Sequence, residues 1–293
     1  MAVPTYTGLV GRNAVVEISN ALDSKVRVPV SQAGGVWYVN GDDLYGLSDE
    51  ESTITIPVKS DYDYTVDMPA WITGEKVKEG YNFTLTENTT GNARKGTVIF
   101  KSQKGTKEIT FVQFGVNDIA GTYEATYSTF GEGDDWVSET VKIELLQDEE
   151  NEAVFYADGL SSIRGVVLPL KFDGETYQLS ALNGQYLGFI ESQKWYLYTI
   201  VRSEAGYVHA DTSLSYPAIA ELDVDDEELM PFFPFKDKKG FSFTGETGTI
   251  KSFIDAIGVY VFASKSPTFG NNNNLGYYDI FKDLSIKKIK ADH

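Results

Sequence analysis

The chain has 293 residues, 42% of them hydrophobic, with no cysteine, two histidines and a formal net charge of −18. Without cysteine it forms no disulfide, no thiolate nucleophile and no cysteine-ligated zinc, and two histidines do not build a histidine-rich metal centre. So acidic a surface repels phosphate backbones and anionic headgroups, which argues against nucleic acid and charged membranes as partners.

From the N-terminus, Met1–Gly8 has neither a basic start nor an apolar run, so it does not read as a signal peptide. Period-two alternation then appears at Lys25–Val30, Thr53–Val58, Asp61–Met68, Asn82–Thr86, Gly96–Lys101 and Lys107–Phe114. Turns rich in Gly, Asn and Asp separate these runs, which is the spacing of an antiparallel β-sandwich. Pro29 and Pro57 lie inside two of the runs and predict edge positions or bulges. In SDYDYTVDMPAWI, Tyr62, Tyr64, Val66 and Met68 form an apolar face, and Pro69 redirects the chain so that Trp71 folds into the core.

Val116–Ile119 reads as a short linker, because composition changes there. Residues 1–116 carry 11 basic and 14 acidic groups, a net of −3, whereas residues 117–293 carry 14 and 29, a net of −15. About ten further strands follow, at Ala120–Thr126, Thr140–Leu145, Ala153–Ala157, Gly165–Leu170, Thr176–Ser180, Gln185–Ile190, Lys194–Val201, Gly206–Ala210, Gly240–Thr244, Ile257–Ala263 and Tyr277–Phe281. They fit a second sandwich or an up-and-down barrel. Phe253–Ile257 and Glu221–Met230 are the two places where a single helical turn is expected. The chain is therefore expected to be all-β: an extension over 1–24, a sandwich over 25–116, and an acidic antiparallel barrel or sandwich over 117–293. No apolar stretch approaches the ~18 residues that span a bilayer as a helix.

Sugar binding calls for exposed flat rings beside hydrogen-bonding groups. The loop candidates are Trp37, Tyr38 and Tyr45, then Trp136 in EGDDWVS, and Tyr277 and Tyr278 after GNNNNLG. The asparagine run supplies donors and acceptors beside the tyrosines. The acidic clusters at Asp134–Asp135, Asp148–Glu150 and Asp223–Glu228 are contiguous and hydrophilic, unlike a glycosidase pair, in which one acid sits in an apolar pocket. Asp223, Asp225 and Asp226 form a weak calcium candidate, since Glu228 stands where an EF-hand needs glycine. No phosphate or dinucleotide loop is present, so no cofactor and no enzymatic activity are expected. Met230–Phe235, MPFFPF, is too apolar to face water entirely and is expected to cap a barrel end, dock the two domains or meet a partner.

The stretch from Lys25 to Gly115 resembles the BACON domain, a Bacteroidetes-associated carbohydrate-binding module. Ala33-Gly34-Gly35, ITIPVKSDYDYTVDMPAWI, FTLTENTTGNARKGTVIF with Asn88, Thr89 and Arg94, and the closing ITFVQFG carry the resemblance, and Val36–Ser52 is an insertion relative to it. More loosely, the second half is similar to the barrel or lipocalin-like domains that follow such modules. The resemblance implies an immunoglobulin-like sandwich in an outer-membrane, cell-surface lipoprotein whose leader and lipid anchor precede Ala2. It also implies a non-catalytic role in binding carbohydrate or mucin glycan. Two further readings stand beside it: a structural or protein-interaction (adhesion) module of an outer-membrane assembly with a surface protein as partner, and a carrier of a small apolar ligand in the C-terminal barrel.

Overall fold

The computed structural model describes residues 8, 10–19, 25–132, 135–245, 248–270 and 272–290. The chain is all-β and divides into two units, Met1–Asn88 with Lys95–Gln113, and Thr89–Arg94 with Phe114–His293.

In the first unit, β1 (Arg12–Ser19) and β2 (Lys25–Gln32) pair only with each other, as an antiparallel hairpin. The strand expected at Lys25–Val30 thus forms, but outside the sandwich. Trp37–Val39 (β3) and Leu44–Leu47 (β4), both inside the Val36–Ser52 insertion, join the sandwich in its place. With β5 (Ser52–Ser60), β6 (Tyr64–Asp67), β7 (Ile72–Val77), β8 (Gly80–Leu85), β9 (Arg94–Ser102) and β10 (Gly105–Gln113) they make two four-stranded sheets, ordered β3-β5-β8-β7 and β4-β10-β9-β6. β4 pairs with β10 in parallel, whereas β3 with β5, β5 with β8, β7 with β8 and β6 with β9 pair antiparallel.

Alternation along β8, β9 and β10 sends Phe83, Phe100 and Phe111 into full burial between the sheets. Phe83 meets Phe100 edge-on at 5.8 Å, the geometry that ring quadrupoles favour. On the opposite face of β6, Asp67 pairs with Lys101. Trp71 packs on this core: a Cβ at Gly96 would lie 2.6 Å from both its Cζ2 and the Pro69 Cγ. At one end Gln113, fully buried, donates through Nε2 to the carbonyls of Ser48, Glu50 and Thr86 at 3.2–3.3 Å. Asn88 is also fully buried and donates to Asp49 Oδ1 at 3.2 Å, so these interior amides are paired, as burial requires.

The second unit opens with a 3-10 turn, Val116–Asp118, at the place read as a linker; Asp118 and Ile119 are fully buried in its core. Then come β11 (Gly121–Phe130), β12 (Trp136–Gln147), β13 (Val154–Asp158), β14 (Leu168–Asp173), β15 (Gln178–Leu182), β16 (Tyr186–Ile190), β17 (Trp195–Ser203), β18 (Val208–His209) and β19 (Ser215–Ile219). They are followed by β20 (Phe232–Pro234), β21 (Phe241–Gly245), β22 (Gly248–Ser252), β23 (Ile254–Phe262) and β24 (Asn274–Lys288). The main sheet runs β16-β17-β23-β24-β11-β12-β13-β14-β15-β19, all antiparallel where paired. It curls back on itself, because residues around β19 bridge Phe232 and Phe235 while β20 pairs with β24. The helical turns expected at Phe253–Ile257 and Glu221–Met230 do not form. The first falls on β23, and Glu221 instead exchanges backbone hydrogen bonds with Phe232.

Tyr123, Phe155, Phe233 and Phe281 fill the curled interior, and the void at its centre, lined by Ile143, Ala157, Leu168, Phe235 and Ile257, measures about 10 Å³. That is room for a single water at most, far below the ~300–1,000 Å³ of a ligand pocket. Around that void the interior of the curled sheet is packed with buried apolar side chains. In the MPFFPF stretch, Phe233 and Phe235 turn inward and supply part of that core, while Phe232 faces the other way.

Candidate functional site

The outer face of the main sheet carries the aromatic and charged groups that the interior excludes. The hairpin joining β11 to β12 sets Phe130 directly opposite Trp136, with ring centroids 4.5 Å apart. Both remain open to solvent, Phe130 at 45% and Trp136 at 37%. Two residue pairs further along the sheet, pairing lines up Arg202, Ala256, Lys282, Ser128 and Ser138 on five adjacent strands. Ala256 is small, so the two long cations beside it have room to reach along the face. Arg202 Cζ lies 5.4 Å and Lys282 Nζ 5.5 Å from the Trp136 ring centroid. Each such contact contributes ~0.5–2 kcal/mol, depending on desolvation, and fixes the indole orientation.

Both cations have carboxylate partners. Arg202 Nη1 donates to Asp255 Oδ2 at 2.6 Å, and Lys282 pairs with Asp283 at 2.5 Å. Asp255 is buried, and burial raises its pKa against the opposing pull of Arg202. Its second oxygen, Oδ1, has no hydrogen-bond partner among the described residues, and neither does the buried hydroxyl of Tyr277. Burial pushes the Tyr277 pKa up, with the Arg202 charge pulling the other way. The Tyr277 ring lies over Gly258, where a Cβ would come within 2.9 Å of it. Two exposed rings and two cations therefore share one face, which offers stacking area and positive charge, while the unpaired oxygens of Asp255 and Tyr277 are buried.

Of the residues named from sequence, Trp136 and Tyr277 lie on this face. Tyr278, 47% exposed, instead meets Trp195 edge-on at 6.2 Å, and Trp195 packs against the barrel core, so the neighbouring tyrosines point to opposite sides of β24. In the first unit Trp37 packs on Tyr64 and Tyr45 stacks on Phe111, both against the sandwich core, whereas Tyr38 is 56% exposed and donates to Asn40 Oδ1. Asn273 spends its amide on Ser266 and Thr268 of its own loop, and Asn271 lies outside the described residues. The sequence reading missed Phe130, Arg202, Asp255 and Lys282. Phe130 was within reach, since it lies close to Trp136 in the chain and pairs with it beside the Gly131 N–H bond to the Asp135 carbonyl.

No protein-family model matches the chain, and no curated protein matches it. Among solved structures, a Bacteroides ovatus GH5 xyloglucanase in complex with a XXXG heptasaccharide matches 28% of this chain and 20% of its own, at 19% identity and a TM-score of 0.25. A Bacteroides ovatus protein of unknown function matches 82% of this chain and 97% of its own, at 9% identity and a TM-score of 0.26. Likeness at this level carries no functional argument, so the site is read from its own geometry.

Among the described residues no three acidic or histidine side chains converge to hold a metal, and Asp223 Oδ1 accepts the Asp225 backbone N–H in a local turn. No helix among the described residues is long and apolar enough to cross a membrane. His209 is structural: its ring meets Phe241 and Phe243 edge-on at 4.8 and 4.5 Å, and its buried Nε2 has no partner among the described residues. Burial lowers its pKa from 6.5, against a smaller opposing effect of Asp211. The unfolded chain therefore binds more protons than the folded one between 6.5 and the lowered value. Through that window stability falls as pH falls. His209→Phe is expected to flatten the dependence of the urea midpoint on pH between about 7 and 5; an unchanged slope would show that other groups set it.

Proposed function

We propose that this is a non-catalytic carbohydrate-binding protein of the cell surface, with a BACON-like sandwich as its first unit and the glycan site on the outer sheet face of its second. The observation that carries the reading is Trp136, an indole kept exposed beside Phe130 and held over Arg202 and Lys282 on a rigid sheet. A pyranose presents an apolar face that stacks on such a ring. Its hydroxyls pair well with planar charged groups of the Arg202–Asp255 kind. Phe130 and Trp136 together leave apolar ring surface open on this face, and such surface points to an occupant.

A glycan array followed by calorimetry with the strongest hit tests the proposal. Trp136→Ala is expected to weaken binding at least tenfold, equivalent to about 1.4 kcal/mol, while leaving the urea midpoint nearly unchanged, because the indole is a surface group. Silence of the parent protein across neutral and mucin-type glycans, or a Trp136→Ala variant that binds as well as the parent, refutes it.

A further inference from the structure

A groove of about 940 Å³ lies on the second unit where β20 meets the C-terminal half of β24. Its floor is apolar, made by Leu222, Met230 and Phe232. Phe232 faces the groove because strand alternation sends its neighbour Phe233 into the barrel, and paired backbone hydrogen bonds with Glu221, at 2.8 and 3.0 Å, hold it there. The walls carry Glu221, Asp223, Asp226, Glu227 and Glu228 against Lys287 and Lys290. Lys290 is engaged by Glu228 at 2.5 Å, so the acidic groups outnumber the basic ones along the groove.

This negative charge is spread out: among the described residues no three carboxylates converge as they would around one metal ion. Distributed carboxylates above an apolar floor complement a chain whose cations are spaced along it and whose apolar side chains lie between them. They repel nucleic acid and anionic glycans. We infer that this groove docks an extended cationic peptide segment of a partner protein, anchored by an apolar side chain on Phe232. The inference does not depend on the glycan reading.

The test is fluorescence anisotropy with three labelled twelve-residue peptides, alternating Lys–Leu, Lys–Ser and Glu–Leu. The Lys–Leu peptide is expected to bind at least tenfold tighter than Lys–Ser, with no binding of Glu–Leu. Combining Asp223→Asn, Asp226→Asn and Glu227→Gln is expected to weaken it at least tenfold and to flatten its salt dependence. Phe232→Ala is expected to remove the advantage of Leu over Ser, and Met230→Ser, read in parallel, to reduce it should Phe232→Ala fold poorly. Equal affinity for Lys–Leu and Lys–Ser overturns the inference, since it reveals only diffuse attraction to an acidic chain. Stoichiometric displacement of the peptide by calcium ions overturns it in favour of a metal site, and so does an affinity indifferent to both floor variants.

Discussion

Gly80→Ala is expected to destabilise the first unit by about 3 kcal/mol or more. Gly80 opens β8 with φ of +157° and sits opposite Pro57 in the register of β5. A Cβ built there lies 2.1 Å from the Ile56 carbonyl oxygen and 2.8 Å from Pro57 Cα and Val58 N. All three obstacles are backbone atoms of a strand paired on both sides, so no rotamer change relieves them. Overpacking of ~1–3 kcal/mol and backbone strain of similar size add at such a position. Urea unfolding of the variant, with hydrogen exchange at β5 and β8, checks this. Protection in those strands should fall while exchange in β11 to β24 stays as in the parent, and an unchanged midpoint would show that the strands separate without penalty.

The same pair of strands shows which features local pattern carries. Thr53–Val58 and Asn82–Thr86 alternate cleanly, and β5 and β8 lie where alternation puts them, because half-buried strands need one apolar face. β3 and β4 span three and four residues, too few for any periodicity to register, so an insertion read as loop conceals two sandwich strands. β2 alternates as well as any core strand, yet pairs only with β1, a strand inside the stretch expected as an extension; alternation reports one apolar face and says nothing about what covers it. The candidate site divides the same way. Trp136 stands out beside an acidic turn, whereas its hairpin partner Phe130 was missed although it lies six residues away in the chain. Arg202 and Lys282 are 80 residues apart in the chain and meet only because β17, β23 and β24 pair in one register, information held in long-range packing. Tyr277 and Tyr278 show the cost of reading adjacency as proximity: neighbours on a strand face opposite ways.

Asp255→Ala should be the most damaging change within the candidate site, at about 2–3 kcal/mol. Asp255 and Arg202 are largely buried, with side chains 8% and 20% exposed, and their 2.6 Å contact is charge-assisted. Removing one member of a buried pair leaves the other desolvated and unpaired, a loss of ~3–5 kcal/mol that the partial exposure of Arg202 reduces. The backbone carbonyl of residue 255 still accepts the Tyr216 hydroxyl, so the damage is electrostatic and β23 stays in place. Two outcomes separate this account from a simple loss of packing. The double variant Arg202→Met with Asp255→Leu removes both charges and should recover most of the stability. On acidification the gap between parent and Asp255→Ala should widen as the raised pKa of Asp255 is approached, because the folded parent binds that proton more tightly than its unfolded chain and gains stability that the variant cannot. If the double variant is as unstable as the single one at every pH, Asp255 acts by shape and the Arg202 charge needs no partner there. In that case the indole resting on Arg202 would be oriented by packing alone, and Trp136 would keep its place without the ion pair beneath the proposed platform.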